Sequence, residues 1–497
     1  MRLSIFVAIL AVLLAPAGLA AEFYVATKGS DANPGTIDQP WKTIQHAAET
    51  LQAGDTVFVR KGVYKALVNI HVSGTQGAPI TFTNYPNEKA VIDGSGIVPL
   101  SDNCGLIFIQ DQHDLVIRGF ELRNFSTAKP DPQPAGIFVL GACYNIELRN
   151  NNVHAIRNTH KDGNGFGIAI YGTSDMQPIT NLIIDGNEVH HLKTGNSESM
   201  VLNGNVTNFQ VTHNRVHDNN NIGIDFAGFE QTCPDPAKDR ARDGVCSDNV
   251  VWKISSRSNP SYAGSASADG IYCDGAERVV IERNVIYFAD IGVELASEHG
   301  VQDGDGNCTD CTLRDNFIYK SRVAGLGLGG YDAMRGATIN CSVTNNTFYQ
   351  NDTMRTGSGE VMLQFYLTNN TIEQNIFVAG TQNVFVSNPA TSNAGTVFDY
   401  NCYFSRGGAD DSGWQWKTAD VTGFDAWMTA SAQDAHSIFA DPLFVKATRA
   451  DFHLTAGSPA VNAGDPAFAA AAGETDIDGE QRVMGARVDI GADELAP

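Results

Sequence analysis

The chain is short of positive charge. Its 33 lysines and arginines stand against 56 aspartates and glutamates, a formal net charge of -23. That balance argues against nucleic acid and anionic membrane surfaces as partners, since both call for basic patches. It also opposes an anionic polysaccharide unless a bound cation bridges the two. Long apolar runs are scarce: beyond the N-terminus no stretch approaches the roughly 18 apolar residues that a membrane span needs. No helical period appears in the middle of the chain, which excludes a βαβ array. The nine cysteines are odd in number and spread over a long chain, so a small disulfide scaffold is not expected.

Apolar residues do run together at the start. Arg2 precedes an apolar run from Leu3 to Ala15, and Pro16, Gly18, Ala20 and Ala21 follow. This pattern predicts a secretory signal peptide over residues 1–21 and an extracellular or periplasmic, monomeric protein. In such an oxidising compartment Cys233 and Cys246, which flank a polar loop, are expected to pair. Cys308 and Cys311 form a CxxC, but no second ligand pair stands at a suitable spacing to complete a zinc site.

One pattern recurs: an apolar residue, a few polar ones, Asn, any residue, an apolar residue. The asparagines are Asn151, Asn187, Asn214, Asn249, Asn284, Asn316, Asn346, Asn375 and Asn401, spaced by 26 to 36 residues. A repeat of this length predicts a solenoid. Short alternating segments such as NFQVTHNRV and RVVIERNVI predict strands. The fold class is therefore all-β, a right-handed parallel β-helix. Asn suits the left-handed backbone of a tight turn, and its side chain can bond the Asn of the next coil. Residues 41–51 carry Ile44, Ala47, Ala48 and Leu51 on one helical face and predict an amphipathic N-terminal cap. The expected organisation is a cap with the first coils over 22–100, repeats over 101–435, and irregular hairpins over the last coil from 436 to 497.

The segment YVATKGSDANPGTIDQPWKTIQHAAETLQAGDTVFVRKGVY resembles the N-terminal segment of secreted β-helix carbohydrate enzymes. It is similar to β-helix pectate lyases and β-helix glycosidases of the pectin-lyase-like superfamily. The resemblance implies the fold and an action on polysaccharide.

A second strand follows several Asn strands and begins at glycine: Gly167, Gly223, Gly270, Gly292 and Gly325. The first and third residues after each glycine are apolar and should point inward; the second and fourth should point out. Ile224, Ile271, Val293 and Leu326 are thus expected in one buried ladder. Asp225, Asp274 and Glu294 are expected on the outer face of successive coils, beside Gly327 and Gly329, in a shallow groove. With strands about 4.8 Å apart and Asp274 two residues out of line, neighbouring carboxylates lie about 8 Å apart at the backbone. That separation suits the paired carboxylates of glycoside hydrolysis. Clustered acids also raise one another's pKa and keep a proton donor near neutral pH. Tyr171, Tyr272 and Tyr331 offer stacking surfaces for sugar rings. Asp269, Glu298 and His299 sit at strand ends near the same groove. His154, His190, His191 and His217 follow the Asn turns and read as turn or surface residues. Cys311 and Cys341 share an inward parity, as stacked thiols or a bridge between coils. The insertion from Phe229 to Ala268 borders the acidic coils.

The run GIYCDGAERVVIERNVIYFADIGVELASEHG is similar to the catalytic region of β-helix glycosidases, which implies Asp274 as nucleophile and Glu294 as acid/base. Hydrolysis of this kind requires no cofactor. The resemblance to pectate lyases implies instead a calcium ligand at Asp225 and a lysine base, and the clustered carboxylates themselves offer a calcium site at Asp225 and Asp274. The coil where that lysine is expected carries Tyr272 and Asp274, which leaves Lys238, Arg240, Arg242, Lys253 and Arg257 of the insertion as substitutes. Hydrolysis of an extracellular glycan is favoured; calcium-assisted β-elimination on a uronate polymer and non-catalytic glycan or surface binding are the alternatives.

Overall fold

A computed structural model describes residues 20–99, 103–300 and 306–496. The expected signal peptide lies, but for its last two residues, outside the described residues. The chain winds into a right-handed parallel β-solenoid of about 12 turns. Each coil contributes one strand to each of three parallel sheets. The first sheet starts at Glu22–Val25, the second at Gly62–Tyr64 and the third at Val68–Ile70. Among the described residues the strands of these sheets pair in parallel until the last coil, where Gly413–Trp416 and Ala419–Thr422 turn back antiparallel.

The repeat asparagines occupy the corner between the first and second sheets and form one unbroken ladder. Asn151 Nδ2 donates to Asn187 Oδ1 at 3.1 Å, Asn187 to Asn214 at 3.0 Å, and so on to Asn401. The left-handed residue of each corner stands one position earlier than expected. It is Asn150, Gly186, His213, Asp248, Arg283, Asp315, Asn345, Gln374 and Tyr400 in turn. The ladder Asn turns its side chain along the stack, and its neighbour absorbs the positive φ.

Ile224, Ile271, Val293 and Leu326 pair in sequence as one fully buried column, as the alternation requires. The helix Ile44–Thr50 is capped by Thr43, whose hydroxyl accepts from the His46 amide. Its buried face, Ile44, Ala47 and Ala48, packs against Val68–Ile70. At the other end Trp414, Phe424 and Trp427 pack on Tyr403 and Phe398 of the last coil, with Trp427 on a helix, Phe424–Ser431, that the repeat did not foreshadow.

Three expectations are corrected here. The segment after 436 lies over the last coil only at its start, where Ile438–Phe439 pairs with Cys402–Phe404. Its hairpin Phe444–Lys446 and Asp451–Leu454 runs back along the second sheet, where Phe452 meets Phe317, Tyr319 and Tyr349. Cys233 and Cys246 are not bridged. Strand parity turns Cys246 into the core, where Asn249 Nδ2 donates to its sulfur at 3.4 Å, while Cys233 sits in a loop over the outer face. Of the histidines read as turn or surface residues, His191 is an exposed turn residue, but His154, His190 and His217 stand on strands and stack in a column that continues into Trp252, Tyr287 and Tyr319. They recur one coil apart at one register, so their rings must stack.

Candidate active site

The third sheet builds the site. Its pairing aligns Val201, Asp225, Tyr272, Glu294, Gly327 and Met362 in one outward column. A second column, two residues on, aligns Asn203, Ala227, Asp274 and Ala296. The acids thus stand in the register read from the sequence, with Asp274 offset by two residues from Asp225 and Glu294.

Their exposure differs from that expectation. Asp225, Asp274 and Glu294 are only 4%, 3% and 8% exposed, and Asp269 2%. Loops roof the strand faces. The insertion after Ala227 supplies one of them: Gly228 bridges Arg240, and Phe229 lies buried against Gly275. The insertion is also not one loop. Ala241–Ser247 and Val250–Ile254 within it are regular strands of the next coil, as the ladder position of Asn249 demands.

On the same face lies a cavity of about 450 Å³, lined by Asp269, Tyr272, Glu294, Glu298, Tyr331 and Gln364, among others. Glu294 is the one member of the acid trio among its lining residues. Tyr331, half exposed, stands at the rim with Arg335 over its ring at 4.7 Å. Tyr171 lies outside the cavity, packed against Phe138 and Phe166.

Burial raises the pKa of Glu294 to about 7, against hydrogen bonds from Asp269 and Gln364 that lower it. Gln364 Nε2 donates to Glu294 Oε1 at 2.6 Å. Burial, and then the charge of Glu294, pushes Asp269 well above the usual carboxylate range. The two carboxyls perturb each other's titration and behave as one proton-sharing dyad. Burial likewise raises Asp225, followed by the fields of Glu198 and Asp274, and leaves its Oδ1 buried without a partner. Asp274 is raised by burial and by Glu298, although the Glu298 amide donates to its Oδ1 at 2.6 Å. Behind the dyad Glu230, Asp274 and His299 bring two carboxylate oxygens and an imidazole nitrogen within 4.8 Å of one another. This donor set fits a divalent cation. Asp225, expected beside Asp274 as a ligand, is not in the group.

The basic residues of the insertion are held elsewhere. Lys238 pairs with Asp235, Arg240 with Glu277 and Lys253 with Asp218, while Arg242 donates to Asn205. Neither these nor Arg257 line the cavity. Sequence reasoning missed Gln364, although extending the outward alternation one more coil would have reached it. It also missed Glu230 and Tyr262, which sit in irregular loops with no repeat to mark them.

Residues 23–185 match the model of the Pel9A-like right-handed β-helix region. The chain is 40% identical over 438 residues to the uncharacterized protein YwoF of Bacillus subtilis, covering 88% of this chain and 91% of that one. It is 36% identical over 153 residues to pectate lyase PEL9 of Emericella nidulans, 28% of this chain and 35% of that one. Among solved structures, pectate lyase Pel9A aligns over 95% of this chain and 96% of its own at 13% identity and a TM-score of 0.47. No helix among the described residues is long and apolar enough to cross a membrane. The near full-length match makes this chain a member of the same family as YwoF, with a Pel9A-like right-handed β-helix region over its N-terminal coils.

Proposed function

We propose that this chain is a secreted enzyme that hydrolyses glycosidic bonds in an extracellular polysaccharide. The observation that carries the reading is the Asp269–Glu294 dyad in the cavity wall, with Glu294 held at about 7. A carboxylic acid protonated near neutral pH is the group that protonates a leaving glycosidic oxygen. Asp274 supplies the second carboxylate. Its coil neighbours that of Glu294 and its position is two residues further along, about 8 Å away at the backbone. From that backbone spacing the side chains can converge into the range of the paired carboxylates of glycoside hydrolysis. Tyr272 and Tyr331 flank the cavity as platforms for a sugar ring.

β-Elimination on a uronate polymer is the second reading. It is favoured by the Glu230, Asp274 and His299 group, where a cation would bind the carboxylate of a uronate and acidify the neighbouring proton. The similarity to pectate lyase PEL9 points the same way. Against it stands the lack of Lys or Arg among the cavity-lining residues, since elimination needs a strong base at the sugar C5 proton.

Product analysis on a panel of polysaccharides separates the readings. New reducing ends without the ultraviolet absorbance of an unsaturated uronate support hydrolysis. That absorbance selects elimination. Binding without cleavage of any member rejects both.

A further inference from the structure

Four thiols meet inside the solenoid, beneath the acidic site. Cys273 points inward from Asp269–Asp274, the strand whose outer face carries Asp274. Cys308 begins the short strand Cys308–Thr309 of the next coil, and Cys311 directly precedes Thr312–Arg314. Cys341 repeats the place of Cys311 one coil later, because Thr312 pairs with Ser342. The four come from three consecutive coils and are at most 1% exposed. The sulfurs of Cys308, Cys311 and Cys341 lie within 4.8 Å of one another. Cys273 adds a fourth inward-facing thiol from the preceding coil.

Ordinary core packing does not account for this convergence. A buried cysteine packs as a small apolar side chain, and the column of Cys273 is otherwise filled by Phe226, Leu295 and Leu328. The CxxC lacked a second ligand pair in the sequence, but the coil register supplies one, from 35 residues upstream of Cys308 and 30 downstream of Cys311. Tetrahedral zinc with bonds of about 2.3 Å to sulfur spaces its four ligands about 3.8 Å apart. The sulfurs of Cys308, Cys311 and Cys341, within 4.8 Å of one another, reach that spacing by small rotations, and Cys273 would turn toward them as the fourth ligand.

We propose that Cys273, Cys308, Cys311 and Cys341 bind one thiophilic dication, zinc by geometry, as a structural clamp across three coils. Each thiol gives up its proton as its sulfur–metal bond forms, so four protons leave and no electron is transferred. The bonds replaced are weak: Cys311 Sγ donates to Ala276 O at 3.7 Å and to Thr309 O at 3.5 Å, and Cys341 Sγ to Ile339 O at 3.5 Å.

The test is elemental analysis of the full chain, expressed with zinc in the medium and dialysed against a chelator. The expected result is one zinc per chain, held by the native protein and released on denaturation. Refolding with cobalt should give thiolate-to-cobalt charge-transfer absorption. Cys311→Ser should lose the metal, whereas Cys402→Ser, outside the group, should keep it. Because Cys311→Ser can fail to fold, the metal content of the unmodified chain is decisive. Metal-free protein overturns the proposal in either form: with all nine cysteines titrating as thiols after denaturation, or with fewer, which would mark a disulfide in the group.

Discussion

Gln364 reaches back two coils to hold Glu294, donating from Nε2 to Oε1 at 2.6 Å. Gly327, on the coil between them, makes this possible. A Cβ added there would stand 3.1 Å from both Cγ and Oε1 of Glu294. The glutamate side chain lies over the bare glycine to meet the glutamine.

Gly327→Ala should therefore displace the carboxyl without unfolding the protein. Misplacement of a reacting group by a fraction of an ångström to an ångström costs on the order of tenfold to a hundredfold in rate. Turnover should fall by that much while the denaturation midpoint stays close to the parent's. Unchanged turnover would mean that the Glu294 position does not matter to the reaction.

Glu294→Gln removes the proton donor and keeps the shape. General acid help is worth about 10² to 10⁴ in rate, and the loss should fall in that range. The parent's rate should decline as pH rises through about 7, where Glu294 loses its proton. The variant should lack that limb. A parent profile flat from about pH 5 to about pH 9 would remove Glu294 from the acid role.

The sequence carried the fold almost whole because a parallel solenoid repeats one local rule. The Asn positions gave the corners, and the period of two gave the inward column of Ile224, Ile271, Val293 and Leu326. It placed Asp225, Asp274 and Glu294 in correct register for the same reason. What it did not carry was the roof. Whether an outward acid is solvated or buried depends on loops such as 228–240, which obey no repeat, and Glu230 belongs to one of them. The Cys273 group was hidden differently: its members are near in space because three coils stack, a relation that spacing along one CxxC does not reveal. The C-terminal segment followed no periodicity, and its docking rests on contacts that no repeat marks: Phe452 against Phe317, Tyr319 and Tyr349, Phe444 against Tyr349, and Glu474 paired with Arg314.

The asparagine ladder should be the most sensitive polar element. Asn249 Nδ2 donates to Val211 O and to Asn284 Oδ1, both at 2.9 Å, and its Oδ1 accepts from the Asn214 amide at 2.8 Å. Asn249→Ala leaves these buried partners unmet, each worth about 1–3 kcal/mol. A total loss of about 3 kcal/mol or more is expected in urea denaturation. Asn249→Leu should not restore it, since the deficit is polar rather than volumetric. A midpoint unmoved in both variants would show that the ladder is dispensable.

The Glu230, Asp274 and His299 group predicts a stabilising cation. A ligand that binds only the native state stabilises it by about 2.7 kcal/mol at a hundredfold excess over its dissociation constant. Calcium should raise the melting temperature of the parent and a chelator should lower it. Asp274→Asn should abolish both responses, because Asp274 supplies one of the two carboxylates. A parent whose melt ignores calcium and chelator alike would take calcium out of the account.

Stability should depend on pH through the same acids, with a sign opposite to that of a salt-bridged carboxylate. The ordinary value for Glu294 is 4.5 and its folded value is about 7. Below about 4.5 both folded and unfolded chains hold the proton and the group adds no pH dependence. As pH rises toward 7 the unfolded chain releases it while the folded one retains it, so stability falls through that window. The full difference approaches roughly 3 kcal/mol. Asp225, Asp269 and Asp274 are raised by burial as well and act in the same direction. Glu294→Gln abolishes the Glu294 share. Measured in chelator, to keep a bound cation from masking the effect, the variant should match the parent near pH 4 and exceed it increasingly toward pH 8. A difference that is constant across that range would mean that Glu294 titrates as an ordinary carboxylate, and the proton-sharing dyad with Asp269 would fall with it.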